Sequence, residues 1–338
     1  MKIEIIRQEN QWAEIAPQWN HLLDKSVSKV PFLRYEFLRA WWEHRGGGEW
    51  PESELFILVG RSENDEIIGI APLFRANNGD GKQVLMLLGS HEIADFLDLI
   101  TAKEDLEAFM TGLLDFLSAN QAEWDVLDLW NILDDSPTLA AVQKAAEDAG
   151  MQSEVTQIQP APIITLPADV DAYFERLDSK YRRELRRKIR NAASFFLPVD
   201  WHVSDGTDLQ AEVALFSGMM RNEAAKVEFL NPKMEAQMLA IAEAFNKAGM
   251  LQLAFLQAGK ERAAAYFNIV FDNRIWVYNS GLNNKFQMIS PGIVLMSYLI
   301  MDAIEKGRSH FDMMRGDEVY KYQLNGQDRF VMRVQVTA

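Results

Sequence analysis

Apolar residues fall in two rhythms along this chain. Near the start, Trp12, Ile15, Ala16, Trp19, Leu22 and Leu23 recur at three- and four-residue steps, which predicts a helix over 11–23. Phe37, Leu38, Trp41 and Trp42 repeat that spacing in a second helix, whose aromatics belong to the core or to the lip of a cleft. Short unbroken runs mark strands at 3–6, 55–59, 67–74, 84–88 and 126–129, with Asn64-Asp65 as the turn between the second and third. Helical spacing returns at 106–117 and at 136–149, the latter closed by Gly150. Proline density then rises across Gln159-Pro160-Ala161-Pro162, which reads as a junction between a domain over 1–160 and a second over 161–338.

The second half opens with a strand at 163–166 and follows a clearer order. Helices are predicted at 209–224 and 234–248, and three strands at 251–256, 262–271 and 274–279, the last pair joined by Asp272-Asn273. A polar loop leads to Ser290-Pro291-Gly292, and an almost wholly apolar run follows from Ile293 to Ile304. Next come a strand at 310–314, a turn at Arg315-Gly316-Asp317-Glu318, a short helix bearing Tyr320, Lys321 and Tyr322, and a closing strand at 329–336.

Strand, tight loop and buried helix in that order make an anion site. The helix start offers unpaired N–H groups and a partial positive charge, here on Gly292 and Ile293, and glycine admits close approach to the backbone. Pro291 suits the first helical position and Ser290 is placed to cap it. The bland alternative is a capped structural helix.

Charge adds a second candidate. Lys180, Arg182, Arg183, Arg186, Arg187, Lys188 and Arg190 lie together on a segment whose Leu177, Tyr181, Leu185 and Ile189 form an apolar stripe. This is either a solvated helix face or a face for phosphate or nucleic acid. The chain as a whole carries a net charge of −15, which argues against a general nucleic-acid surface. Its 338 residues suit two domains or one large one. There is no cysteine, so disulfides and thiolate catalysis are excluded, and the five histidines lack metal-ligand spacing, so no metal is expected. No apolar stretch has the length of a membrane span, the N-terminus reads as a strand and not as a signal peptide, and the expected compartment is the cytoplasm. Asp95 and Asp98, just after a strand, sit at a cleft edge or are plain loop acids. Met219, Met220, Met313 and Met314 line an adaptable pocket or belong to the core.

The order of elements in the second half resembles the GNAT acyltransferase fold. The pieces Lys180-x-Arg182-Arg183-x-Leu185-Arg186-Arg187, Ala265-Tyr266, Tyr278-Asn279-Ser280-Gly281, Ser290-Pro291-Gly292, Phe311-Asp312 and Gly316-Asp317-Glu318-x-Tyr320-Lys321 look like the CelD-type branch. That branch was named through bacterial cellulose biosynthesis and is related to Fem-type aminoacyl transferases. Ala71-Pro72-Leu73, Leu88-Gly89 and Asp95-Phe96-x-Asp98 are similar to its N-terminal half.

The resemblance implies an α/β (α+β) chain of tandem GNAT-like halves, each a mixed, mostly antiparallel sheet flanked by helices. It implies acyl transfer from acyl-CoA to an amine or hydroxyl of a small molecule or of an envelope or polysaccharide precursor. Gln287-x-x-Ser290-Pro291-Gly292 stands where ordinary acetyltransferases carry Arg/Gln-x-x-Gly-x-Gly/Ala. On this reading Tyr278, Asn279, Ser280, Ser290, Gly292 and Ile293 hold the donor. Asp312 and Asp317 are candidate bases and Tyr320 a candidate acid. Asp95, Asp98, Lys180, Arg183, Arg187, Tyr266 and Lys321 face substrate. Two alternatives stand beside it. One is a transferase using aminoacyl-tRNA, with the basic helix as phosphate platform. The other is a non-catalytic binding protein that kept the fold.

Overall fold

The computed structural model describes residues 1–337. The strands are β1 (Lys2–Ile6), β2 (Ser53–Leu55), β3 (Ile57–Arg61), β4 (Ile67–Ala71), β5 (Leu73–Asn77), β6 (Gln83–Leu87), β7 (Ile100–Thr101), β8 (Val126–Leu133), β9 (Gln152–Pro160), β10 (Ile163–Thr165), β11 (Val199–Val203), β12 (Leu251–Ala258), β13 (Glu261–Phe271), β14 (Arg274–Leu282), β15 (His310–Asp312) and β16 (Phe330–Thr337). The helices are α1 (Glu9–Glu14), α2 (Ala16–Leu23), α3 (Tyr35–Gly48), α4 (Ser90–Ile93), α5 (Leu106–Ala119), α6 (Thr138–Asp148), α7 (Val170–Arg176), α8 (Ser179–Ala193), α9 (Leu209–Met220), α10 (Ala224–Phe229), α11 (Pro232–Lys247), α12 (Pro291–Glu305) and α13 (Val319–Gln323). Among the described residues no helix is long and apolar enough to cross a membrane.

The chain forms two compact units, one of Met1–Gln159 with Phe330–Ala338 and one of Pro160–Arg329. The closing strand was expected in the second half. Instead β16 lies in the first unit, antiparallel to β8 from Val331↔Leu133 to Thr337↔Val126. Asp128 and Arg333 fix that pairing with two hydrogen bonds of 2.7 Å. In the second unit β10 flanks β15.

Several predicted elements are cut in two, each time for a local reason. Pro17 starts a new helix, so 11–23 becomes α1 and α2. Pro72, which has no N–H for a ladder, separates β4 from β5. Asp178 accepts from the Lys180 and Tyr181 amides and so separates α8 from α7. In the first unit Trp12, Trp19, Phe32, Phe37 and Trp41 are fully buried, which makes the aromatic stripes core. The four methionines are buried as well.

The sheets of both units turn on the same device. In the first, β6 and β8 run parallel over Val84↔Val126 to Met86↔Asp128. In the second, β14 and β15 run parallel over Arg274↔His310 to Trp276↔Asp312. Most other pairings are antiparallel. A parallel pair needs a crossover, and α12 supplies it in the second unit. It buries Val294, Leu295, Met296, Leu299, Ile300, Ala303 and Ile304. Each fully buried aliphatic side chain of this size contributes about 1.5–3 kcal/mol.

β13 is buried without interruption from Ala263 to Ile269, so both of its faces are covered. Neighbouring residues show by what. The Tyr266 hydroxyl donates to Gly292 O of α12 at 3.3 Å. Phe267 meets Phe216 of α9, ring centroids 5.9 Å apart. One face therefore carries α12 with α7 and α8, and the other carries α9 with α11.

Candidate functional site

The site begins where β14 loses its neighbour. Parallel pairing with β15 stops at Trp276, and β14 continues to Leu282 with that edge open. Just past the split the register on the other side slips as well. Phe267 faces Asn279 while Asn268 faces Val277, so Tyr278 is a bulged extra residue. Its ring stands edge-on to Phe267 at 5.6 Å.

Groups off the sheet dress this stretch. The Ser280 N–H goes to its neighbour Asn279 Oδ1 at 3.3 Å. Ser280 O accepts from Lys226 Nζ at 3.0 Å, and Leu282 O accepts from Asn222 Nδ2 at 2.7 Å. Lys226 also pairs with Glu223 Oε1 at 3.1 Å. Asn222 and Glu223 come from the turn between α9 and α10, and Lys226 from the first turn of α10. The sequence pattern does not single them out as site residues. The available signal was the Glu223–Lys226 spacing of three.

Gly281 explains how that turn comes so close. A Cβ there would stand 2.9 Å from Met219 Cβ and 3.0 Å from both Met220 N and Phe216 O. Two of those atoms are backbone and cannot swing aside. Gly281→Ala should therefore cost about 1–3 kcal/mol of stability and push the turn off the strand edge. Urea unfolding measures this directly, and an unchanged midpoint would show that α9 shifts freely.

The helix start next to this edge departs from expectation at its cap. Ser290 does not cap through its side chain, because its backbone is left-handed at φ 51° and ψ 54°. Its hydroxyl instead lies 3.5 Å from Lys188 Nζ on α8. A Cβ at 292 would meet Leu282 Cδ2 at 2.9 Å, the end of a side chain that can turn aside, so packing favours the glycine without requiring it. Pro291 has no N–H and Val294 N–H returns to Ser290 O at 3.1 Å, so the first-turn donors are Gly292 and Ile293. Lys188 places a cation beside them, paired also with Glu184 at 3.5 Å.

The remaining cations of α8 do not share that position. Lys180, Arg183 and Arg187 are exposed, and Tyr181 and Leu185 form the buried stripe beneath them. Lys180 lines a separate cavity of about 510 Å³ with Tyr181, Val319 and Tyr322.

Three other candidates are built into the frame. Asp312 is fully buried, bound by Arg329 Nη2 at 2.6 Å and by Met314 N–H at 3.1 Å. Burial pushes its carboxyl above the usual range, and Arg329 offsets this only in part. Lys321 is 2% exposed. It donates to Met314 O, Arg315 O and Gly316 O and pairs with Glu318 at 2.9 Å, so it meets main chain and not substrate. Tyr266 spends its hydroxyl on Gly292 O, and burial holds its pKa far above the ordinary phenol range.

Tyr320 is half-buried and its pKa is raised, first by burial and then by Glu318 and Glu223. Tyr266 feels both Tyr320 and Glu223, and Tyr320 feels Glu223, which puts the three in one neighbourhood. Asp317 is exposed. Asp95 and Asp98 belong to the first unit. Asp98 is fully buried, accepting from Ser28, from Ser136 at 2.6 Å and from Leu99 N–H at 2.7 Å, with its carboxyl pushed up by burial. It is an internal bracket and neither of the surface roles expected for it.

This geometry has known counterparts. The acetyltransferase (GNAT) domain family matches residues 179–322. No curated protein sequence matches the chain. Among solved structures it resembles FemX, with a TM-score of 0.68, 10% identity, and 98% of this chain and 97% of that chain covered. It resembles the C-terminal domain of a protein assigned as a lysylphosphatidylglycerol synthetase in Agrobacterium fabrum, with a TM-score of 0.57, 11% identity and coverage of 96% and 92%. L-PGS from Bacillus licheniformis follows at a TM-score of 0.53, 13% identity and coverage of 89% and 90%. The chain has a GNAT/Fem-like fold, built as tandem GNAT-like halves.

Proposed function

We propose that the chain is an acyltransferase whose second unit takes an acyl group from acyl-CoA and passes it to an amine or hydroxyl. The observation that carries this is the open edge of β14 beyond Trp276, lying next to the first turn of α12. An extended chain with amide groups can add to such an edge as a further strand, with the Lys226 and Asn222 side chains giving up Ser280 O and Leu282 O where it does so. The residues fit an acyl-CoA there. Tyr278, Asn279 and Ser280 line the edge, and the Gly292 and Ile293 amides with Lys188 suit a pyrophosphate. When bound, the thioester supplies an activated carbonyl.

The protein's own work is to hold the donor along β14, to keep a proton on Tyr320 and to give the acceptor a base. Tyr320 carries its proton at neutral pH as any phenol does, and it is the candidate acid because it shares a neighbourhood with Glu223 and not because burial raises its pKa. Asp312 and Lys321 are assigned to the frame, because their partners leave them no free role. Glu223 takes over as the candidate base. An envelope or polysaccharide precursor as acceptor, and the CelD-type branch with it, is supported by the quoted sequence pieces.

Titration calorimetry with acetyl-CoA and longer acyl-CoAs tests the reading. Lys188→Ala should weaken binding about tenfold, or ~1.4 kcal/mol, with the difference shrinking as salt rises. Absence of binding by every acyl-CoA would sink the reading. The exposed basic face of α8 favours a second one, in which an aminoacyl-tRNA is the donor. Retention of tRNA on filters at low salt, with no acyl-CoA bound, would turn the conclusion that way.

A further inference from the structure

The first turn of α10 presents an amine to the edge of β14 beyond Trp276. Lys226 Nζ is held between Ser280 O at 3.0 Å and Glu223 Oε1 at 3.1 Å. Its side chain is 23% exposed and that of Glu223 is 42% exposed, so both can be reached and neither is locked in the core. A carboxylate 3.1 Å from an ammonium is within the reach a general base needs. The nearby Tyr266 and Tyr320 hydroxyls both sense the Glu223 charge. Asn222 on Leu282 O and the missing Cβ of Gly281 seat the whole turn on the strand. A surface ion pair needs none of this. The arrangement is what an acceptor amine requires, a carbonyl to hold it at the donor strand and a carboxylate to take its proton.

We propose that Lys226 is a self-acylation site, an internal acceptor that receives the acyl group of an acyl thioester laid along β14. The inference rests on the acyl-CoA reading above. Glu223 takes a proton from the Lys226 ammonium. The freed ε-nitrogen attacks the thioester carbonyl, the N–C bond forms and the C–S bond breaks. The thiolate leaves and is protonated to the thiol, and the nitrogen's remaining excess proton passes to solvent. The product is an uncharged N-acyl-lysine. It no longer pairs with Glu223, so acylation removes one of the two contacts that hold the Lys226 nitrogen at the strand edge.

The test incubates the whole protein with acetyl-CoA and maps acetyl-lysine by peptide mass spectrometry, with acetyl-CoA binding followed in parallel by calorimetry. Lys226 should be modified well ahead of the exposed Lys233. Lys226→Arg should abolish the mark at that site, and Glu223→Gln should slow it at least about tenfold while binding persists. Arginine preserves the charge, so a loss there is not a folding defect. Acetyl-CoA that binds while Lys226 stays unmodified, or is modified no faster than Lys233, overturns self-acylation and leaves the transferase reading standing. Absence of both binding and modification overturns the two together.

Discussion

Replacing Asp312 by alanine is expected to lower the free energy of unfolding by about 3–5 kcal/mol, the effect of stripping one partner from a buried charged pair. The carboxylate is fully buried and Arg329 is only 10% exposed at the side chain, so water cannot replace the lost bond of 2.6 Å. Asp312 also ends β15 at the last rung that β15 shares with β14, opposite Trp276. Loss of the pair therefore loosens the rung at which the strand edge opens. Urea denaturation provides the measurement. A catalytic base would behave otherwise, with full stability and greatly reduced transfer. That outcome would return Asp312 to the chemistry.

Lys321→Met should cost about 1.5–3 kcal/mol, since the substitution keeps volume and removes a charged donor from three carbonyls. Met314 and Gly316 have φ of 63° and 112°, a path that a side chain has to hold in place. The clamp folds this loop directly before α13, which carries Tyr320. The expected result is a lowered urea midpoint together with reduced acyl transfer at unchanged acyl-CoA affinity. Affinity lost in step with transfer, at wild-type stability, would show that the ammonium binds substrate.

The two outcomes share a lesson about reading the Gly-Asp-Glu-x-Tyr-Lys segment. Its residue types advertise chemistry, since acids, a tyrosine and a lysine next to a strand end read together as a site. Whether each faces solvent or main chain depends on where the 314–318 loop turns, and a lysine reads the same in either case. Ser290 teaches the same point from the other side. A serine before proline suggests a cap, yet the left-handed backbone turns its hydroxyl toward Lys188, a residue 102 positions earlier in the chain.

The sequence by itself determined the periodic elements. It marked the apolar helix 291–305, the basic stripe of α8, the three antiparallel strands from β12 to β14 and the short strand after Gly307, because side-chain spacing and turn residues are local properties. It also marked the strand, loop and helix order that makes an anion site credible. What the tertiary structure alone decided is which polar groups meet. It returned β16 to the first unit, buried Asp98 and Asp312, and turned Lys321 inward. It singled out Lys188 among seven neighbouring cations and brought Glu223 and Lys226 to the edge of β14. Such choices depend on contacts between distant segments, and burial follows from packing that no window of sequence contains.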